Sequence, residues 1–412
     1  MTARPVRGAA PASAAHPIGR GRWHRRVGAI PLGYLAATVA VAFAHPFLPQ
    51  WRWLLIHLLL LGAVTNAIVV WSAHFASAVL QAPAPSSRRG EAARLAVLNL
   101  GVAGVLAGGA AAGGWRWVAV AGSALVFVAV LAHLTVLVVR LRRSLPAPFT
   151  VTVHYYLAAA TALLAGIPAG AWILVAGTDA RLLLFHAHVN VLGWVTLTVL
   201  GTLLTLWPAV LRTRMADGAI RAATTALPLA VAGLALLGLG LLTWWRVAVA
   251  GGLVLFAAGV VVAAVPPIAA ARRRPPSSFA AWSIAAAVGW LLVALTIDAA
   301  TLITAAEPES AASRFGDVLV PLLVGFTAQV LLGALAYLLP TVLGGGPALV
   351  RARLAVLERH WPQRVVMANT ALAVFQLPVG PYVRITTSLL VLAALVQFLV
   401  AAARALLMDR RS

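Results

Sequence analysis

The feature that most constrains this chain is a series of twelve apolar runs, each close to the length that crosses a bilayer. A hydrocarbon core of ~30 Å needs about 20 residues of helix, because lipid cannot hydrogen-bond an open backbone. The runs fall at 28–48, 53–81, 93–112, 116–139, 150–176, 182–210, 222–243, 247–271, 279–304, 317–341, 363–379 and 385–408. Together they predict an all-α polytopic membrane protein of about 12 transmembrane helices. Residues 1–27 are polar and Arg-rich and read as a disordered cytoplasmic tail. The membrane domain then covers 28–408, with a short cytoplasmic tail at 409–412. The third run is rich in Ala and Gly, and the eleventh is short.

Charge placement tests that count. The net charge is +22, and all 31 basic residues are Arg. They sit in short segments between apolar runs, which is the topology signal of a membrane protein; a nucleic-acid binder gathers charge on a soluble face. With both termini inside, the inner segments hold 25 Arg and the outer ones six: Arg52, Arg116, Arg181, Arg246, Arg314 and Arg384. One missed span would reverse the pattern beyond it. There is no Cys, which excludes disulfides, thiolate nucleophiles and Cys-bound clusters.

Spans 2, 6 and 10 can be superposed as sequences. Leu61-Gly62, Leu192-Gly193 and Leu332-Gly333 align, and five residues before each Gly stand His57, His188 and Ala328. Spans four apart that look alike suggest three repeats of four helices.

Polar side chains within lipid are expensive and are functional candidates by default. His57, His186 and His188 lie at similar depth near the outer ends of spans 2 and 6, with His45 at the outer end of span 1. His74, His133 and His154 lie towards the inner ends of spans 2, 4 and 5. His16 and His24 fall in the tail. Two residues on a helix subtend about 200°, so His186 and His188 serve different sides of span 6. His57 could then oppose one of them across a metal or a tetrapyrrole iron. Asn190 and Gln329 could orient a ligand or bond a neighbouring helix, and Asp298 is the acidic residue deep within a span. Outer Trp residues, such as Trp51, Trp53 and Trp115, suit an interfacial belt. Arg52 or Arg181 could pair with propionates.

Three features taken together resemble subunit I of the haem–copper oxidase and nitric oxide reductase superfamily. They are the four-helix grouping, the early His of WLLIHLLLLGAVTNAIVV from Trp53, and the His-x-His of FHAHVNVLGWVTLTVLGTLLTLWP from Phe185. These strings, with FTAQVLLGALAYLLPTVLGGGPA from Phe326, also look like actinobacterial membrane modules that accompany copper nitrite reductase or multicopper oxidase domains. The haem- and copper-containing NnrS family is a related comparison. The resemblance implies a low-spin haem b between His57 and His188, and a second haem or copper at His186. It departs from the oxidases in placing His-x-His on span 6 rather than span 10, and in having no His on span 7.

The expectation is a haem-binding protein of the bacterial plasma membrane, active in electron transfer or in copper and nitrogen-oxide metabolism. Its expected partners are a copper-containing redox enzyme and a quinol or cytochrome donor, and nucleic acid is not among them. A transporter with a His-lined pathway and a cofactor-free scaffold are the alternatives. The first would need His57, His74, His133 and His154 to line one cavity.

Overall fold

The computed structural model describes residues 20–81, 87–111, 114–145 and 147–408. The described chain is helical, with no strand among those residues. Eleven helices are long and apolar enough to span a bilayer. They are α1 (Gly21–Phe47), α2 (Trp51–Val79), α3 (Arg89–Ala110), α4 (Arg116–Arg143), α5 (Thr150–Ala176), α6 (Ala180–Leu211), α7 (Ala219–Thr243), α8 (Arg246–Arg273), α9 (Phe279–Thr304), α10 (Gly316–Leu343) and α12 (Pro381–Leu407). The protein is an all-α, multi-pass membrane protein.

The eleventh expected run is shorter than predicted. It forms α11 (Trp361–Phe375), 15 residues or about 22 Å. It is too short to count among the candidate membrane spans, which number eleven among the described residues. Arg353, on a short helix Pro347–Leu357, donates to the carbonyls of Gly344, Ala405 and Met408, so α10 and α12 end at the same face. The 27 residues of α12 carry its start about 40 Å away. The α11 segment bridges that height, and its Asn369 bonds mid-helix residues of α9 and α10.

The first helix begins at Arg20 rather than near residue 28. His24, assigned above to the tail, therefore lies buried within it. The expected tails at 1–19 and 409–412, with His16, lie outside the described residues.

The Ala- and Gly-rich third run forms a helix because α4 covers it. Gly101, Gly104 and Gly108 lie against the backbone of Val118, Ala119 and Gly122, closer than a methyl group would allow. The pair α7–α8 meets in the same way at Gly233, Gly240 and Gly252. Small residues let backbones touch where lipid gives no hydrophobic drive between helices.

The innermost helices are α2, α6 and α10, the most buried of the set. Each contains a π-helical segment: Leu58–Val64, Val189–Thr196 and Pro321–Ala328. In each, a Thr hydroxyl donates to the carbonyl five residues back: Thr65 to Leu60, Thr196 to Val191 and Thr327 to Leu322. These threonines are spaced by 131 residues. The outer helices repeat as well. Tyr34, Ala162 and Trp290, spaced by 128 residues on α1, α5 and α9, meet Gly62, Gly193 and Gly325 respectively. The threefold repeat is therefore visible in the fold, with one register corrected. On the 131-residue spacing Val324, not Gly333, aligns with Gly62 and Gly193, with Gly325 one residue on in contact with Trp290, and Leu319, not Ala328, matches His57 and His188. The Leu-Gly pair misaligned the third repeat because both residues are common here; the π-turn threonines carry the true register.

Two of the repeats share an amide clasp. Asn66 and Asn99 exchange hydrogen bonds at 2.8 and 3.2 Å, and Tyr34 donates to Asn99. Gln329 and Asn369 do the same at 3.0 and 3.1 Å, with Trp290 donating to Asn369.

Candidate functional site

The π segments set the level of the outer histidines. Trp194 on α6 donates to Thr65 on α2 at 3.1 Å, which fixes the two helices in register. His57 lies eight residues before Thr65, and His186 lies eight before Trp194. Both imidazoles thus sit eight residues to the outer side of the same hydrogen bond. They are close enough to interact electrostatically.

Repeat equivalence explains how the three predicted site residues differ. His57 and His188 occupy matching positions and are anchored alike. Each donates from Nδ1 to the carbonyl four residues back, His57 to Trp53 at 2.8 Å and His188 to Leu184 at 2.6 Å. Their Nε2 atoms diverge. His188 is buried, and its Nε2 meets the Asp298 carboxylate of α9 at 3.0 and 3.2 Å. Phe315 packs against the same ring at 5.2 Å. Both nitrogens of His188 are therefore engaged.

The position on α5 that corresponds to Asp298 is Gly170. It carries no carboxylate, and the imidazole of His186 fills the space a side chain there would take. His57 consequently makes no side-chain bond at Nε2 among the described residues. His186 is anchored from the other side, with Nδ1 donating to the Gly166 carbonyl at 2.8 Å. The Asn190 amide nitrogen lies 3.2 Å from its Nδ1 and donates weakly to its Nε2 at 3.4 Å, so a metal at Nε2 would displace that bond, and the Asn190 Oδ1 is buried without a hydrogen-bond partner. At the third interface between repeats, the matching positions are Leu319 and Ala42, both apolar.

The structure thus holds His188 on Asp298 and leaves His57 and His186 at a similar level on neighbouring helices, within electrostatic range of each other. Imidazoles anchored through Nδ1–H to backbone carbonyls present Nε2 as the ligand atom, the usual arrangement of metal-binding histidine. The donor chemistry suits haem iron or copper. Neither of the two main cavities borders these rings. Trp53 stacks on His57 with centroids 4.0 Å apart, closing one face of that ring.

The inner histidines form no ladder with this group. His74 packs edge-on to Trp71 and to His24, the latter at 5.3 Å. His133 is buried with Nε2 3.0 Å from the Ser72 hydroxyl, and His154 is exposed. No histidine lines either cavity. His45 is exposed and bonds its own helix at the Ala42 carbonyl. Arg52 stacks on Trp51 at 5.1 Å, and both Arg52 and Arg181 are exposed.

Sequence reasoning missed Gly170 and Gly166, because a glycine carries no chemistry of its own. Only the 128-residue offset between α5 and α9 reveals Gly170 as the counterpart of Asp298. The chain matches no known protein-family model and no curated protein.

Proposed function

We propose that this protein is a membrane redox protein whose metal is held by His57 and His186, on neighbouring repeats near the outer face. One observation carries the reading. At this interface the repeat that elsewhere binds His188 to a carboxylate offers a glycine, and two carbonyl-anchored imidazoles stand at a similar level on neighbouring helices. Haem iron is the group that the oxidase resemblance implies. Once bound, it would supply one-electron chemistry within an apolar setting. The chain's own part is to orient both rings through Trp53 and Gly166 and to cover His57 with Trp53. His188 then serves as a positioning residue, locking α6 to α9. The setting proposed is the bacterial plasma membrane, with a quinol or cytochrome donor and a copper enzyme as redox partners.

A copper ion is the second reading. The observation in its favour is that neither cavity reaches the two rings, so the packing admits an ion more readily than a macrocycle.

The test is a reduced-minus-oxidised visible spectrum and a metal assay on purified protein from cells supplied with haem and copper. His57→Ala, His186→Ala and His188→Ala are measured beside it. A sharp α-band lost in the first two variants and kept in the third supports the haem reading. A flat spectrum with copper lost in the same two supports the ion. Protein free of both sinks the proposal.

A further inference from the structure

A second group of polar side chains lies at the inner ends of α2, α3 and α4. The helices α3 and α4 are antiparallel, and Gly101 lies against Val126 where they touch. Seven residues inward from that contact stand Arg94 on α3 and His133 on α4. Seven residues are about two turns, so both positions stay on the facing sides of their helices. Arg140, seven further on, follows His133 down the same stripe. Arg94 and Arg140 both act electrostatically on His133.

His133 is fully buried. The Ser72 hydroxyl of α2 lies 3.0 Å from its Nε2 and has no other partner among the described residues, so the hydroxyl donates and the ring proton sits on Nδ1. That Nδ1 is buried without a hydrogen-bond partner, whereas those of His57, His186 and His188 all bond backbone carbonyls. The Nε of Arg94 is buried without a partner too. Glu91, the carboxylate among these arginines, is engaged elsewhere. It accepts from Arg88 at 2.7 Å and lies 3.6 Å from Arg140, which also donates to Ser77 and to the Ala73 carbonyl. Three guanidiniums thus share one carboxylate, and two buried N–H donors are left without an acceptor.

Packing does not require these groups. In the second repeat α7 and α8 meet through Gly233 and Phe256 as α3 and α4 meet through Gly101 and Val126. Counted from that contact, the counterparts of Arg94, His133 and Arg140 are Ala226, Ala263 and Ala270. The same helix pair forms there from alanine, and a buried donor left unsatisfied costs free energy. We infer that Arg94 and His133 form a binding site for a phosphate oxyanion, entered from the inner side of the membrane. Both orphaned atoms are donors, and a ligand that only accepts satisfies them together. A guanidinium presents paired N–H groups to an oxyanion. Three arginines against one glutamate leave two positive charges, which match a phosphate near neutral pH. Arg94 is half-buried and stands five residues from the start of α3, which leaves the way in from the inner surface. Free phosphate and the headgroup of an inner-leaflet lipid offer the same chemistry.

Isothermal titration calorimetry of the full-length protein in detergent, at constant ionic strength, compares inorganic phosphate, dihexanoyl phosphatidic acid and sodium chloride. Saturable binding of inorganic phosphate, absent with chloride, is expected. Binding confined to phosphatidic acid supports the same site and names the lipid headgroup as its source. Loss of a charge-assisted hydrogen bond in Arg94→Gln should weaken half-saturation about tenfold. Arg142→Gln, at an exposed arginine on the inner end of α4, should leave it unchanged. The double variant Arg94→Ala with His133→Ala copies the residues of α7 and α8. It should abolish binding while keeping the fold, and it carries the test should Arg94→Gln be unstable. Equal binding of chloride, or no saturable binding of either phosphate compound, would overturn the inference. So would binding that survives the double variant.

Discussion

At the scale of single residues, the contrast between His57 and His188 is set by what faces Nε2. His188 and Asp298 are both buried, and each exists in the membrane interior because the other is there. Removing one partner of such a pair costs about 3–5 kcal/mol, while replacing both by apolar residues is often neutral. Asp298→Ala should therefore lower the unfolding temperature in detergent sharply. The double variant His188→Leu with Asp298→Leu should recover most of the loss; a double variant as unstable as the single would refute the pairing argument. Gly170 bears a second expectation. A methyl group there collides with the His186 ring, so Gly170→Ala should displace that imidazole. Metal or haem content should then fall while gel-filtration behaviour and helicity stay as in the wild type.

The sequence disclosed the histidines as polar atoms in lipid and grouped His57, His186 and His188 by depth. It expected His57 to oppose His188, whose Nε2 the structure sets against Asp298. The choice between His186 and His188 as partner of His57 depends on which side of α6 each faces and on a carboxylate 110 residues away. Neither is written locally. Asp298 was visible as a charge needing a partner, and Gly170 was invisible until helices could be compared.

At the scale of elements, the π turns hold the arrangement together. A π turn widens the helix by one residue and leaves a carbonyl to be satisfied, and such turns cluster at functional sites. Here a threonine hydroxyl supplies the bond in all three repeats. Thr65 also accepts from Trp194, which makes it the joint between the first and second repeats. Thr65→Val keeps the shape and loses both bonds. Interhelical hydrogen bonds in membranes average about 0.6 kcal/mol, so a loss of roughly 1 kcal/mol is expected, readable as a small fall in thermal stability. The same variant should reduce metal retention, because the level of His57 relative to His186 is set there. The spans themselves were legible from hydropathy alone. The boundaries of α1 and α11 were not, since polar and arginine-rich residues at Arg20–Arg26 remain helical, and residues 376–379 leave the helix.

At the scale of the whole molecule, the arginine distribution and the Arg353 clamp give one topology. A chain without cysteine makes that topology easy to examine. Single replacements Ser310→Cys, before α10, and Ser277→Cys, before α9, should react with an impermeant thiol reagent from opposite sides of intact cells or inverted vesicles. Labelling of both from one side would contradict the passage of α9 through the membrane. Fold class and repeat number were legible because membrane crossing is a constraint of length and charge. The register of the third repeat was not, because the dipeptide used to align it is frequent in any chain of this composition.

The glycine opposite His57 makes the fold interchangeable in parts. The slot between repeats is filled by the His186 ring at Gly170, sealed by a carboxylate at Asp298 and apolar at Ala42. The exchange Gly170→Asp with Asp298→Gly would carry the vacant imidazole a third of a turn around the molecular pseudo-axis, from His57 to His188. The residue then standing where His186 stood is Asp317, so the relocated donor set becomes imidazole with carboxylate. Such a pair suits a harder ion than two imidazoles do. If the proposed metal site is right, threefold construction would let metal preference change without a new scaffold.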